Sequence, residues 1–369
     1  MLTTKAAVVE APGAPFTVHE VTLADLRPDE VLVKMVAAGL CHTDLGVQAG
    51  GIPFPLPGVL GHEGAGVVVE TGAAVTKVKP GDKVLLSFTS CGTCPACRGG
   101  HPAYCDTWVP RNLIFGARDD GSATVEREGQ QIGGRFFGQS SFAAHAVADE
   151  RSVVKVDDDA PLELLAPLGC GVQTGFGTVW NILDPKPGTT LAVFGSGAVG
   201  LAAVMAAASL PLQAVIAVDL VDSRLELARE LGATHTVNAG TQDVAAAIAQ
   251  ITGGRGLGSA IDTTAVPAVV RTAVDALGVR GTAAIVGAPP QGTEVSFEVQ
   301  SLLPGKRIVG VTLGDGEPET LIPQLVALHR AGKLPLEKLV KHYALEDLDE
   351  AAADMHHGVT IKPVVRFDQ

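Results

Sequence analysis

The sequence predicts an α/β protein of two parts, a β-rich unit and a doubly wound parallel sheet covered by helices on both faces. Three observations carry that expectation. From Lys5 to about Glu150, short alternating or apolar segments lie between turns. From about residue 190, strands and helices alternate. At the head of that alternation stands Gly195-Ser196-Gly197-Ala198-Val199-Gly200, a glycine-rich turn that follows an apolar strand and opens an alanine-rich helix.

The elements follow from local chemistry. Lys5-Ala6-Ala7-Val8-Val9, Glu30-Val31-Leu32-Val33-Lys34-Met35-Val36 and Lys83-Val84-Leu85-Leu86 read as strands, with Pro28-Asp29 and Pro80-Gly81-Asp82 supplying turns before two of them. This stretch shows no sustained helical periodicity, which points to a barrel or sandwich. Past Pro161 the texture changes, and Ala166 to Ile182 reads as a helix despite its glycines. Thr190 to Phe194 is then a strand, Ala198 to Ser209 a helix, Ala214 to Val218 a second strand, and Ser223 to Leu231 a helix closed by Gly232. Strands at Ser259 to Asp262 and Thr282 to Val286 continue the alternation, which implies a parallel sheet. From about Leu313 the pattern is mixed, ending in a strand-like Lys362-Pro363-Val364-Val365-Arg366.

Composition narrows the function. With 369 residues, 46% hydrophobic and 18% charged, the chain has material for two or three domains and a buried core. The net charge of -13, with no lysine or arginine run, argues against nucleic acid or an anionic membrane as partner. Leu191 to Leu212 is long enough to span a bilayer, but Gly195, Gly197, Gly200 and Pro211 within it fit a buried strand–turn–helix better. Met1 to Lys5 shows no secretory pattern, so a soluble cytoplasmic protein is expected. Six cysteines in such a chain suggest metal ligands or thiols rather than disulfides.

Four of those cysteines, Cys91, Cys94, Cys97 and Cys105, have the spacing C-x2-C-x2-C-x7-C. Two-residue gaps let thiolates converge on one ion, and a four-thiolate set is closed to substrate, so a structural zinc is expected. An iron–sulfur cluster is the rival, but its bacterial run has a three-residue last gap followed by proline, and here Asp106 follows a gap of seven. The other two cysteines stand in Cys41-His42-Thr43-Asp44 and Gly169-Cys170-Gly171, and a third segment, Gly61-His62-Glu63-Gly64-Ala65-Gly66, supplies an imidazole. Two thiols and one imidazole form a three-ligand set that leaves a fourth position on zinc open for chemistry. In the glycine-rich turn, Gly195, Gly197, Ala198, Val199 and Gly200 are expected to hold a dinucleotide, against the alternative of a flavodoxin-like domain without nucleotide. Asp219, nineteen residues after Gly200, can accept both adenosine ribose hydroxyls and would repel a 2′-phosphate, which favours NAD over NADP. Arg224 nearby leaves some NADP use open.

Together these motifs resemble the zinc-containing medium-chain alcohol dehydrogenases over essentially the whole chain, and Gly169 to Trp180 looks most like the bacterial aryl-alcohol (benzyl-alcohol) branch. The resemblance implies a GroES-like catalytic domain from residues 1–171 and 313–369, around a Rossmann cofactor domain at 172–312. It implies that Cys41, His62 and Cys170 hold a catalytic zinc, making two zinc per chain, that Asp44 orients His62, and that Glu63 is an occasional ligand. Thr174, His42 and Lys362 join the expected cofactor contacts, the last two near the phosphates. Phe88, Phe136 and Phe137 lie where the family lines its substrate pocket, although ordinary core aromatics would look the same. A homodimer or homotetramer is also implied.

The reading is reversible oxidation of a primary alcohol, aryl or allylic, to its aldehyde with NAD. Thr43 is expected to take the hydroxyl proton. Liver-type relatives carry a relay histidine where this chain has Gly46, so the route of that proton to solvent is open between His42 and water at the cofactor ribose. One alternative is a glutathione- or mycothiol-dependent formaldehyde dehydrogenase, which needs cations for the thiol's carboxylates, with Arg111, Arg118 and Arg135 as candidates. A second is a non-catalytic zinc- and nucleotide-binding protein.

Overall fold

The computed structural model describes residues 1–367, and the chain divides into two compact units. The first comprises Met1–Cys170 and the chain from Glu317 onward; the second is Gly171–Gly316.

Two sheets build the first unit. A five-stranded sheet runs in the order Gly58–Val59, Leu2–Val9, Phe16–Leu23, Val125–Arg127, Gln130–Ile132. The larger sheet runs Val153–Lys155, Lys83–Leu86, Glu63–Thr71, Glu30–Gly39, Lys362–Arg366, Val340–Ala344, with His145–Asp149 also on Glu30–Gly39. Strand Glu30–Gly39 is the spine of this unit. Glu63–Thr71 pairs along one edge, while His145–Asp149 and then Lys362–Arg366 share the other. A strand paired on both edges and largely covered on both faces needs a mostly apolar run, which Val31-Leu32-Val33, Met35 and Ala37-Ala38 supply around the exposed Lys34.

The second unit is a six-stranded parallel sheet in the order His235–Asn238, Ala214–Asp219, Thr190–Phe194, Leu257–Asp262, Leu277–Ile285, Arg307–Gly310. In chain order that is 3-2-1-4-5-6, the doubly wound arrangement in which the strand order reverses beside the first strand. The expected α/β class, with a β-rich domain and a Rossmann-type sheet, is therefore what the chain forms. Helix Ala198–Ala208 is buried from Gly200 to Ala207 without a polar face, which alanine and valine permit. Among the described residues no helix is long and apolar enough to cross a membrane, and the apolar run from Leu191 resolves into a strand and this helix.

Three details correct the sequence reading. Residues 42–48 form a helix, too short to show a period; Cys41 and Asp44 close a capping box at its start. The helix expected from Ala166 to Ile182 is broken into a 3-10 turn, a helix Gly171–Gly177 and a π-type turn, with Cys170 in a non-helical conformation between the first two. The return to the first unit falls at Glu317 instead of 313. Gly314, at φ 68°, lies so close to helix Gly171–Gly177 that a Cβ there would come within 2.7 Å of Gln173 O, and Asn181 Nδ2 donates to its carbonyl at 3.1 Å. Gly171 likewise belongs with that helix in the second unit.

Candidate active site

The capped helix His42–Gln48 and the strand entered at Glu63 bring the first candidate metal-ligand set together. Asp44, fully buried, accepts from the Cys41 amide (2.9 Å), the Gly61 amide (3.0 Å) and His62 Nδ1 (3.1 Å). One carboxylate thus fixes both ligand-bearing segments and the tautomer of the histidine. The other ring nitrogen, His62 Nε2, is buried without a hydrogen-bond partner. Ligand atoms of Cys41, His62, Glu63 and Cys170 all lie within 4.8 Å of one another. Burial opposes a charge on His62, yet the Asp44 carboxylate and the Cys41 thiol hold its pKa at about 10. Cys170, by hydrogen bond, pulls the Cys41 thiol well below the usual range against the cost of burial. Two thiols and an imidazole nitrogen without a protein partner, gathered within 4.8 Å, are soft and borderline donors of the kind zinc takes. The donors fit zinc.

Glu63 and Lys362 form a buried pair beside this set. Lys362 Nζ donates to Leu40 O at 2.9 Å and lies 2.8 Å from the Glu63 carboxylate oxygens. Burial pushes the Glu63 carboxyl up to about 7, with the Lys362 charge pulling the other way. Lys362, expected near cofactor phosphates, is a buried residue, 2% exposed, whose ammonium pairs with Glu63. Thr43 is half-buried with its hydroxyl 3.7 Å from Cys41 Sγ, and His42 is exposed. Gly46 is packed by Ile52, whose Cδ1 would lie 2.7 Å from any Cβ, so the place of the relay histidine is filled by an aliphatic side chain.

Phe136 and Phe137 are buried and lie on His62. Phe137 stacks on the imidazole at 4.4 Å and 25°, and Phe136 meets it edge-on at 5.3 Å. Phe54 and Trp108, neither singled out by sequence, extend the cluster, at 5.1 Å from Phe136 and 5.5 Å from Phe137. Phe88 is buried in the same unit. Gln139 is a further residue that sequence reasoning missed. Its amide donates to His62 O (2.9 Å) and Ser87 O (2.7 Å) and accepts from Gly64 N (3.1 Å). Nothing in the local sequence marks it; only the fold brings the start of Glu63–Thr71 and the end of Lys83–Leu86 to it.

Cys91, Cys94, Cys97 and Cys105 converge as a second set, again within 4.8 Å of one another and not disulfide-bonded. Cys91 Sγ and Cys97 Sγ are 3.9 Å apart. Four thiolates at about 2.3 Å from one tetrahedral centre are about 3.8 Å apart, so the lobe matches zinc. The Thr93 amide and, against burial, the Cys94 amide pull the Cys91 thiol down to about 5. Little of residues 91–101 is buried, so a bound ion is the natural organiser of the loop.

In the second unit, Gly195, Gly197, Ala198, Val199, Gly200 and Asp219 gather at the carboxyl ends of the two strands beside the switch point. Gly195 has φ 93°, and a Cβ on Gly200 would stand 1.8 Å from Gly195 O, so the turn closes only with glycine at both places. Asp219 accepts from Leu220 N (2.8 Å) and Val221 N (3.0 Å) on Oδ1 and from Ser196 N (2.6 Å) on Oδ2, which orients the carboxylate and leaves one lone pair, on Oδ2, for a further donor. Arg224 lies half-buried in the helix Asp222–Glu230, and Thr174 is buried in the helix Gly171–Gly177. Thr263, which the sequence did not flag, holds the turn from the next strand by donating to Phe194 O (3.0 Å) and Gly195 O (3.1 Å).

The three arginines weighed for carboxylate binding have other partners. Arg118 and Arg135, both under 10% exposed, chelate Glu30, and Arg135 also binds Asp149. Arg111 pairs with Asp119.

Residues 27–158 match the alcohol dehydrogenase GroES-like domain, and residues 198–328 the zinc-binding dehydrogenase domain. The chain belongs to the zinc-binding alcohol dehydrogenases, and it is an enzyme of that class. It is 42% identical to geraniol dehydrogenase of Castellaniella defragrans, over 99% of this chain and 98% of that protein. Among solved structures it resembles an alcohol dehydrogenase zinc-binding domain protein from Burkholderia ambifaria (TM-score 0.97, 49% identity) and benzyl alcohol dehydrogenase from Acinetobacter calcoaceticus (TM-score 0.96, 45% identity), each covering 100% of both chains. The likeness to the aryl-alcohol branch expected from the sequence is met by the last of these.

Proposed function

We propose that the chain oxidises a primary alcohol whose carbinol carbon adjoins an sp2 carbon, benzylic or allylic, reversibly to the aldehyde with NAD. The observation that carries this is the convergence of Cys41, His62 and Cys170, with His62 locked through Nδ1 and its buried Nε2 turned to no protein partner. Those three residues would hold the catalytic zinc, and Cys91, Cys94, Cys97 and Cys105 a structural one. Zinc in a three-ligand site supplies a Lewis acid that favours negative charge on an alcohol oxygen near neutral pH. NAD supplies the hydride acceptor. Support for the substrate class comes from the two named relatives, since geraniol and benzyl alcohol share the activated carbinol and little else.

The chain's own residues do the rest. Asp44 keeps the imidazole in the tautomer that presents Nε2. Thr43, beside Cys41, takes the hydroxyl proton and passes it toward His42, the exposed residue next to it, because Gly46 and Ile52 offer no relay there. Asp219 receives the adenosine ribose and disfavours a 2′-phosphate. Phe88, Phe136 and Phe137 give the substrate pocket its apolar wall. The formaldehyde–thiol alternative loses support because Arg118 and Arg135 are consumed by Glu30 and Asp149.

The test is NADH production from benzyl, cinnamyl, allylic and straight-chain alcohols, and from formaldehyde with and without thiols, with metal content measured on the same sample. Two zinc per chain and turnover of the unsaturated alcohols is the expected result. Turnover confined to formaldehyde–thiol mixtures would replace this reading with the alternative.

A further inference from the structure

Turn Phe136–Ser140 touches the metal-ligand set at more points than packing requires. Phe137 adopts φ 53° and ψ 32°, the left-handed region, and so does Ser140 at φ 52°. Glycine or asparagine reaches that region readily, whereas a bulky aromatic residue there is a steric outlier. Such outliers persist where the surroundings over-determine them, and they gather at functional sites. The surroundings here are specific. Ser140 Oγ donates to Val59 O (2.7 Å) and accepts from Phe136 N (2.9 Å), and Gln139 ties the turn to His62 O, Gly64 N and Ser87 O. Ser87 Oγ in turn donates to Gly169 O at 2.7 Å, next to Cys170. The result of the left-handed backbone is that one aromatic ring lies flat on the His62 imidazole.

The Cβ–Cγ bond and the hydrogen bond at Nδ1 hold one edge of the imidazole, and the ring can still rock as far as the length of that hydrogen bond gives. A flat neighbour against the face removes that rocking. Phe137 is that neighbour, 4.4 Å away and inclined by 25°, and it is backed in turn by Trp108, edge-on at 5.5 Å. We propose that Phe137 is a positioning residue for His62: its ring sets the plane of the imidazole, and so the direction in which Nε2 meets a metal ion. This rests on the reading that His62 is a metal ligand, and it assigns to Phe137 a role separate from lining the substrate pocket.

The experiment uses the full chain loaded with zinc or cobalt(II). Metal release to a colorimetric chelator is followed for wild type, Phe137→Leu, Phe137→Tyr and His62→Ala, with chemical denaturation of each. Cobalt(II) visible spectra are recorded in parallel. Phe137→Leu keeps apolar bulk and loses the flat ring, so metal leaves the Cys41–His62–Cys170 set at least about tenfold faster and the cobalt bands shift, as when other outer partners of a ligand are removed. Release from the four-cysteine lobe stays unchanged and serves as internal control. Phe137→Tyr keeps the ring and restores slow release and the wild-type spectrum. Release and spectra for Phe137→Leu that match wild type overturn the proposal. Equal acceleration by Leu and Tyr also overturns it, because packing alone would then account for the effect. Should Phe137→Leu not fold, Phe137→Met is the ringless variant judged by the same criteria. If His62→Ala retains both metal equivalents with wild-type release, the ligand reading itself falls, and the proposal with it.

Discussion

Replacing Glu30 by glutamine tests whether Arg118 and Arg135 are structural residues. Glu30 is 1% exposed and its carboxylate accepts four N–H groups: Arg118 Nε (2.8 Å) and Arg135 Nη1 (2.6 Å) on one oxygen, Arg118 Nη2 (2.7 Å) and the Arg27 amide (3.0 Å) on the other. An amide keeps one of those oxygens and turns an NH2 toward the remaining donors. Two charged hydrogen bonds are lost, at about 1.5–3 kcal/mol each. The buried group of two arginines with Glu30 and Asp149 also passes from neutral to singly positive. Breaking a buried pair costs about 3–5 kcal/mol, and the two routes agree, so that is the expected loss in the first unit. Trp108 lies in the first unit and Trp180 in the second, so urea unfolding followed by fluorescence in a Trp180→Phe background reports the first unit alone.

The pH dependence has a definite sign. Burial raises the Glu30 pKa, but the hydrogen bonds and charges of Arg118 and Arg135 and the Arg27 amide outweigh it and hold the value below the ordinary range. A depressed carboxylate contributes fully above its unfolded value and loses that contribution as pH falls through the folded one. The gap between wild type and Glu30→Gln therefore stays constant near neutrality and narrows in acid. A neutral-pH difference of less than about 1 kcal/mol would show that the network is an ordinary surface-type pair and refute the reasoning. Alcohol turnover below the unfolding range should be unchanged, since these arginines serve no substrate.

Three further outcomes bear on the site. Asp44→Asn keeps shape but mismatches one of three N–H donors and removes the charge facing His62; zinc affinity of the catalytic set should fall about 10–100-fold, read by chelator competition, with wild-type affinity counting against the orienting role. Thr43→Val should lower kcat by about 100-fold or more, and Thr43→Ser should restore most of it; a valine variant within a few-fold of wild type removes Thr43 from the proton path. Asp219→Asn should weaken NAD binding by about tenfold or more through lost charged hydrogen bonds and shift the NADP to NAD ratio upward, measured by titration; an unchanged ratio would mean that Asp219 does not select the cofactor.

The parts of this molecule legible in the sequence are those in which one short segment does one job. The glycine-rich turn declares itself because glycine is needed at both ends of six residues, Gly195 and Gly200, and the four-cysteine lobe because its spacing is the geometry. Helix His42–Gln48 was hidden, since seven residues give less than two turns of periodicity and its start is set by a cysteine–aspartate capping box. Break of the helical run at Cys170 was hidden too, because glycines allow both outcomes and the tertiary contact of Ser87 with Gly169 O decides it. Gln139, Phe54, Trp108 and Thr263 carry no signature at all. Their roles arise from strands far apart in the chain that meet only after folding.

Lys362 shows how such a long-range meeting adds to a functional reading. The family resemblance placed this lysine near the cofactor phosphates, and nothing in its local sequence pointed to a carboxylate partner. The final strand pairs antiparallel with the end of Glu30–Gly39, which carries Lys362 past Leu40 to Glu63. That pairing bears on the metal site. In the proposed site two thiolates would already balance a divalent zinc, so a bare Glu63 carboxylate beside them would add negative charge and compete for the fourth position. With the Lys362 ammonium 2.8 Å away, the carboxylate is neutralised within the protein, and nothing about its charge forces it onto the metal. In the proposed zinc site, the fourth position that alcohol chemistry requires would then be kept open with the help of a lysine 299 residues away from its partner.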